Sequence, residues 1–253
     1  MISFTGSTAT GTRIMTAAAA TIKKVFLELG GKSALVALDD ADIDAVVTSA
    51  AFATTTHAGQ GCANTTRLLL PRNKYRDGVA ALAETLKTWP YGDPTDSSVL
   101  MGPLIREEQR QRVLGYIRKG VEEGATIAVG GGIPAHLSTG YYVEPTVLAD
   151  VDPDSTVAQD EIFGPVLVVI PHDGDDHAVE IANNSRYGLS GTVVSASDER
   201  ARAVANRMRT GTVNVNGGVF YGVDVPFGGY KQSGIGREMG VAGFEEYLET
   251  KSI

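Results

Sequence analysis

Cys62 is the single cysteine of a 253-residue chain, and glycines approach it in Gly59-Gln60-Gly61-Cys62. A thiol attacks as its thiolate, which is reachable near neutral pH, and a glycine-rich approach lets a substrate come close. Upstream lies Glu28, in Leu27-Glu28-Leu29-Gly30-Gly31-Lys32. A carboxylate in that place can serve as a general base. A third acid, Glu161, opens Glu161-Ile162-Phe163-Gly164-Pro165. Each has a plainer reading. Free cysteine is often a buried small hydrophobe; Glu28 could be a surface carboxylate, and Glu161 a turn residue. Nucleophile and base together suggest a reaction and an order of events.

The elements that must position these residues follow from pattern. Gly6-Ser7-Thr8-Ala9-Thr10-Gly11 runs into an alanine-rich helix over Ile14–Ile22, with Ser7 or Thr8 as its cap. Lys24–Leu29 alternates as a strand that ends in Gly30-Gly31, and Ala34–Leu38 is a short apolar strand. A helix starting at Asp39-Asp40 places Ile43, Val46, Val47, Ala50 and Ala51 on one face, and the Ala58–Gly61 loop delivers Cys62. Further strands are expected at Arg67–Leu70, Thr126–Val129, Tyr141–Val143, Val166–Ile170, Gly191–Ser195 and Thr212–Val215. Helices are expected at Tyr75–Trp89, Asp175–Asn183, Asp198–Met208 and Arg106–Glu123, the last with Val113, Tyr116, Ile117 and Val121 turned inward. Alternating strands and helices predict an α/β fold with a largely parallel sheet.

Composition narrows the class. A net charge of −8 argues against nucleic acid or an anionic membrane as partner. A lone cysteine makes no internal disulfide, so the chain reads as intracellular, with a cytoplasmic setting expected, or as indifferent to redox compartment. Residues 1–12 carry no signal-peptide pattern. The uncharged run Ala45–Thr66 is too polar to span a membrane. The His172–His177 stretch reads as a solvated loop before a helix start rather than a metal site. The 30 glycines exceed the roughly 7% that is typical, and cluster at 30–31, 59–61, 130–132, 217–218, 228–229 and 234–240. They predict tight turns around a site where backbone comes close to something.

Five motifs occur in one order: Phe4-Thr5-Gly6-Ser7, Leu27–Lys32, Gly59–Cys62, Glu161–Pro165, and Pro226-Phe227-Gly228-Gly229-Tyr230-Lys231-Gln232-Ser233-Gly234. Over essentially the whole chain this order resembles the NAD(P)-dependent aldehyde dehydrogenase superfamily. The resemblance implies an aldehyde dehydrogenase-like catalytic domain over residues 28–253, closed by a C-terminal return segment, its sheet flanked by helices. Residues 1–27 are then a remnant of a Rossmann-like cofactor-binding domain. It implies oxidation of a small-molecule aldehyde to a carboxylic acid with NAD or NADP as hydride acceptor. Cys62 would form the thiohemiacetal and then the thioester, and Glu28 would activate the hydrolytic water. Cofactor contacts carry over to Gly6, Ser7, Leu29, Glu161 and Phe163. Lys231 and Asn214 carry over as scaffold residues, and no metal is implied. Intact members are homo-oligomers, dimers or tetramers. Members are longer, with a cofactor domain first that holds an oxyanion asparagine; Asn64 is not that residue. The alternative expectation is a truncated catalytic domain without cofactor turnover, either inactive or a residual thiol esterase, or a non-catalytic oligomer partner.

Overall fold

A computed structural model describes residues 1–217 and 222–253; the glycine cluster at 217–218 therefore ends, at Gly218, outside the described residues. The order of elements is β1 (Ile2–Thr5), α1 (Thr8–Ala19), β2 (Val25–Glu28), β3 (Ser33–Ala37), α2 (Ile43–Thr55), β4 (Thr65–Pro71), α3 (Tyr75–Lys87), α4 (Glu107–Glu122), β5 (Thr126–Val129) and β6 (Thr146–Ala149). It continues with α5 (Thr156–Gln159), β7 (Val166–His172), α6 (Asp175–Asn183), β8 (Tyr187–Gly188), β9 (Gly191–Val194), α7 (Asp198–Ala205), β10 (Asn214–Val215), β11 (Tyr230–Lys231), β12 (Gly234–Ile235) and α8 (Gly240–Glu245).

The main sheet has seven strands in the order β10-β9-β3-β4-β7-β6-β5. All its pairings are parallel except β5 with β6. Its middle strands are apolar runs because both faces are covered. One face packs Leu35, Leu68 and Leu70 against Val46, Val47 and Ala50 of α2 and Leu82 and Leu86 of α3. The other packs Val36, Leu69 and Val168 against Val113 and Ile117 of α4, Ala178 and Ile181 of α6 and Val204 of α7. A second sheet, β1-β2-β12, pairs β1 with β2 in parallel and β12 with β2 antiparallel. The α/β expectation with a largely parallel sheet flanked by helices is met.

Several local expectations are corrected. Asp42, not Asp39 or Asp40, caps α2: its carboxylate accepts from the N–H of Asp44 and Ala45. Asp39 and Asp40 instead pair with Arg200. Val121 is exposed, because Gly120 takes the inward position against Leu148 and Val157, where a larger residue would not fit. Tyr141–Val143 forms no strand beyond a bridge from Tyr141 to Leu104. The ladder begins only after Pro145, which has no N–H to give. His172 is not solvated: β7 runs on to include it, and its buried ring bonds the Ala37 carbonyl at 2.8 Å. Among the described residues no helix is long and apolar enough to cross a membrane.

Candidate active site

Three loops enter the amino ends of neighbouring strands, and each carries one candidate. Glu28 ends β2, and Gly30-Gly31 leads into β3; Cys62 precedes β4; Glu161 precedes β7. Ser33 of β3 stands opposite Thr65 of β4, and Arg67 of β4 opposite Val168 of β7. Residues distant in sequence meet because their strands are neighbours.

The Cys62 loop is built from constrained backbone. His57, Ala58 and Gly59 have φ of 51°, 55° and 72°, a left-handed run that turns the chain sharply out of α2. Such conformations cost free energy at non-glycine positions and persist only where the surroundings hold them. Gln60 holds one side, accepting the Ile105 N–H at 3.1 Å and donating to the His57 carbonyl at 3.1 Å. Asn64 holds the other, donating to the Thr56 carbonyl at 3.2 Å. A Cβ at Gly59 would collide with the Gly164 carbonyl, so this loop rests directly on the Gly164-Pro165 turn. A Cβ at Gly31 would collide with the Cys62 carbonyl oxygen. Only glycine lets the Glu28 segment pass this close to the Cys62 loop.

The Cys62 thiol donates to Glu28 Oε1 at 3.7 Å. Glu28 is 1% exposed, so the surface-carboxylate reading fails. Its second oxygen, Oε2, is buried without a hydrogen-bond partner among the described residues. Burial pushes the Glu28 carboxyl up to about 7; the Cys62 hydrogen bond opposes this, and the charges of Glu238 and Glu161 add to it. Burial also pushes the Cys62 thiol up to about 12, helped by the Glu28 and Glu161 charges. The resting pair is therefore a protonated thiol beside a carboxyl poised to titrate near neutrality.

The remaining candidates surround this pair unevenly. Gly6 donates its N–H to the Glu28 carbonyl at 3.0 Å, which ties the start of α1 to the strand that ends in Glu28. Ser7 caps α1 by accepting the Thr10 N–H at 3.3 Å. Glu161 Oε1 accepts the Gly31 N–H at 2.9 Å. Phe163 has φ 60°, and Gln109 holds it by donating to its carbonyl at 2.6 Å. Ser7, Thr8, Thr12, Arg112 and Glu161 line one cleft of about 400 Å³. Leu29 stands away from that cleft: it packs on Gly11 and lines a separate cavity of about 280 Å³ with Met15 and Ile235.

Sequence reasoning missed four supporting residues. Arg112 donates to the Glu161 carbonyl at 2.8 Å. Its spacing to Tyr116 on a charged helix reads as an ordinary solvated face, so nothing singled it out. Gln109 is hidden in the same way. Ser233 is fully buried, donates to the Gly30 carbonyl at 2.7 Å and accepts the Gly188 N–H at 2.9 Å. Lys32 is buried beside the glycine pair. Lys231 donates to the Asn183 and Ser185 carbonyls at 2.9 Å each, the work of a brace.

Comparison with known proteins gives the arrangement a lineage. The aldehyde dehydrogenase family model matches residues 1–253. A 3-succinoylsemialdehyde-pyridine dehydrogenase of a Pseudomonas species is 48% identical over 255 residues, covering 100% of this chain and 53% of the relative. A betaine aldehyde dehydrogenase of Rhizobium leguminosarum bv. trifolii is 44% identical over 253 residues, covering 100% and 52%. The crystal structure of a Mycobacterium tuberculosis aldehyde dehydrogenase complexed with NAD+ superposes with a TM-score of 0.94 at 47% identity, over 96% of this chain and 50% of that one. An aldehyde dehydrogenase of Pseudomonas syringae, in complex with NAD+ and octanal, gives a TM-score of 0.97 at 44% identity, over 100% and 52%. The chain spans about half the length of the relatives it matches. Full coverage of the chain, by the family model and by a solved fold alike, makes it a member of the aldehyde dehydrogenase family.

Proposed function

We propose that this protein oxidises a small-molecule aldehyde to a carboxylic acid with NAD+ or NADP+, through a covalent intermediate on Cys62. The observation that carries the reading is the 3.7 Å contact between the Cys62 thiol and the buried Glu28 carboxylate. Glu28 accepts the thiol proton as sulfur adds to the aldehyde carbon, giving a thiohemiacetal. Loss of hydride leaves a thioester on Cys62. Once that first proton has passed to solvent, Glu28 takes a proton from water, whose oxygen attacks the thioester carbonyl, and returns it to the departing sulfur, so that the acid and the thiol are released. The unpartnered Oε2 supplies the acceptor this second task needs. Presence of a base here favours water over a thiol acceptor in the last step.

The residues present fit a nicotinamide dinucleotide. The Gly30-Gly31 turn leaves open backbone beside the Glu161 carboxylate, with Oε2 only 2.6 Å from where a Gly30 Cβ would lie. A helix N-terminus at Gly6-Ser7 suits a phosphate. Gly6, Ser7, Glu161 and Phe163 are the residues we assign to holding the cofactor, which supplies the hydride acceptor; Leu29 could join them only through its backbone, since its side chain lines the separate cavity. NAD+ appears in the solved relatives named above, which favours it over NADP+. We place residues 1–27 with cofactor binding and residues 28–253 with catalysis. The proposal extends to a cytoplasmic homo-oligomer, supported by exposed Val241, Phe244, Tyr247 and Leu248 at the C-terminal end.

The test is reduced-nicotinamide formation with a panel of aldehydes. Wild type turns over; Cys62→Ala gives no product; Glu28→Gln gives at most one equivalent per site and then stalls as the acyl-enzyme. Turnover that survives Cys62→Ala would overturn the assignment. Ester hydrolysis without cofactor, in a wild type that never reduces NAD+ or NADP+, would support the thiol-esterase alternative.

A further inference from the structure

Lys32 follows the glycine pair and is 1% exposed, yet its Nζ has no hydrogen-bond partner among the described residues. An amine taken out of water without a partner is costly, and such groups concentrate at functional sites. The charged groups that act on Lys32 are Arg67, Glu161 and Asp160, and Arg112 acts on Glu161. Arg67 of β4 is fully buried, but its guanidinium is committed to carbonyls: Lys32 at 2.8 Å, Ile181 at 3.0 Å and Ala182 at 2.8 Å. Asp160 is committed to Arg186 at 2.7 Å and to the Tyr116 hydroxyl at 3.0 Å. Arg112 of α4 bonds the Glu161 carbonyl rather than its carboxylate. Lys32 follows directly on Gly31, whose N–H bonds the Glu161 carboxylate at 2.9 Å, so the buried amine is one residue from the backbone that holds this acid.

Resting on the function proposed above, we infer that Lys32 is a positioning residue whose buried ammonium holds Glu161 in its ionised form, ready to accept hydrogen bonds from a cofactor ribose. The electrostatics agree. Burial pushes Glu161 up, while the Gly31 N–H and then Lys32 and Arg112 pull it back. Burial and the Arg67 charge push Lys32 down to about 7, and Glu161 and Asp160 oppose that. Lys32 therefore carries its proton on the acid side of neutrality. A protonated Glu161 would lose the negative charge that makes it a strong acceptor for hydroxyls.

The deciding experiment needs no turnover. The protein is labelled with glutamate carrying ¹³C in the side-chain carboxyl, the Glu161 signal is assigned through Glu161→Gln, and its midpoint is read by NMR titration. Lys32→Met raises that midpoint by at least about one pH unit. Lys32→Arg, which keeps the charge, leaves it near the wild-type position. Calorimetric titration of NAD+ at pH 6 shows about tenfold weaker binding for Lys32→Met, a 1.4 kcal/mol effect. Lys32→Gln serves as a second charge-free variant, with near-UV circular dichroism as the check that each variant is folded. An unchanged midpoint in either folded charge-free variant overturns the inference. A wild type that shows the titration but binds no NAD+ overturns the function it rests on, and with it the ribose role.

Discussion

Glu28 is a buried carboxylate with no ion-pair partner among the described residues, so ionising it works against the fold. Its folded midpoint, about 7, lies above the ordinary 4.5. Between these values the folded chain binds more protons than the unfolded one, so stability falls as pH rises through that window and the whole deficit is present above about 7. At about 1.4 kcal/mol per pH unit the deficit is on the order of 3 kcal/mol. Glu28→Gln is therefore expected to be more stable than wild type at pH 8 by that order, with the advantage gone below about pH 4.5. Urea unfolding at the two pH values measures it, and parallel curves at both would contradict the account. The same titration governs rate. Glu28 works as a base only when ionised, so steady-state acid release rises with pH through about 7 in wild type. The residue is a case of stability yielded at a working site.

The loops at the amino ends of β3, β4 and β7 are the elements that turn separate motifs into one site. Gly31 shows how tightly they are fitted. Gly31→Ala drives a methyl into the Cys62 carbonyl oxygen, and the loop that moves is the one bearing the nucleophile. Displacement of about 1 Å commonly costs about 100-fold in rate, which is the loss expected in turnover. A variant with wild-type kinetics would mean that the turn relaxes elsewhere. Much of this level was legible in the sequence. The apolar runs of β4 and β7 and the one-sided pattern of α2 are direct records of burial. The motif glycines at 31 and 59 marked the close approaches correctly. What was not legible depended on partners distant in the chain. Lys32, Ser233 and Arg112 look ordinary until the fold brings Glu161, Gly30 and Gly188 to them. His172 read as solvated because nothing local reveals that β7 carries it beneath the Ala37 carbonyl. Leu29 sits in a matching motif, yet its side chain turns under α1, since one residue beyond a strand end the side-chain direction is not fixed by the pattern.

At the scale of the molecule, the C-terminal end gathers features that point to association. Tyr247 bonds Ser3, Lys24 pairs with Glu246, and the Gly240 N–H bonds the Val223 carbonyl, so α8 and the start of the chain share one surface. Val223, Val241 and Phe244 on that surface are 90%, 73% and 68% exposed. Exposed apolar groups of this kind mark interaction surfaces. Phe244→Asp is expected to shift the protein towards smaller species in light scattering; an unchanged mass distribution would place the contact elsewhere. The split of Glu28 and Cys62 between two of the sheets has its own consequence. Glu28 closes a strand of the three-stranded sheet, and Cys62 precedes a strand of the seven-stranded one. The separation of sulfur and carboxylate is thus a gauge of how one sheet is seated on the other. Slippage too slight to melt any helix would open that gap. On the proposed function, turnover is expected to disappear in gently rising urea while the far-ultraviolet circular dichroism still reads native, and loss of both together would contradict this.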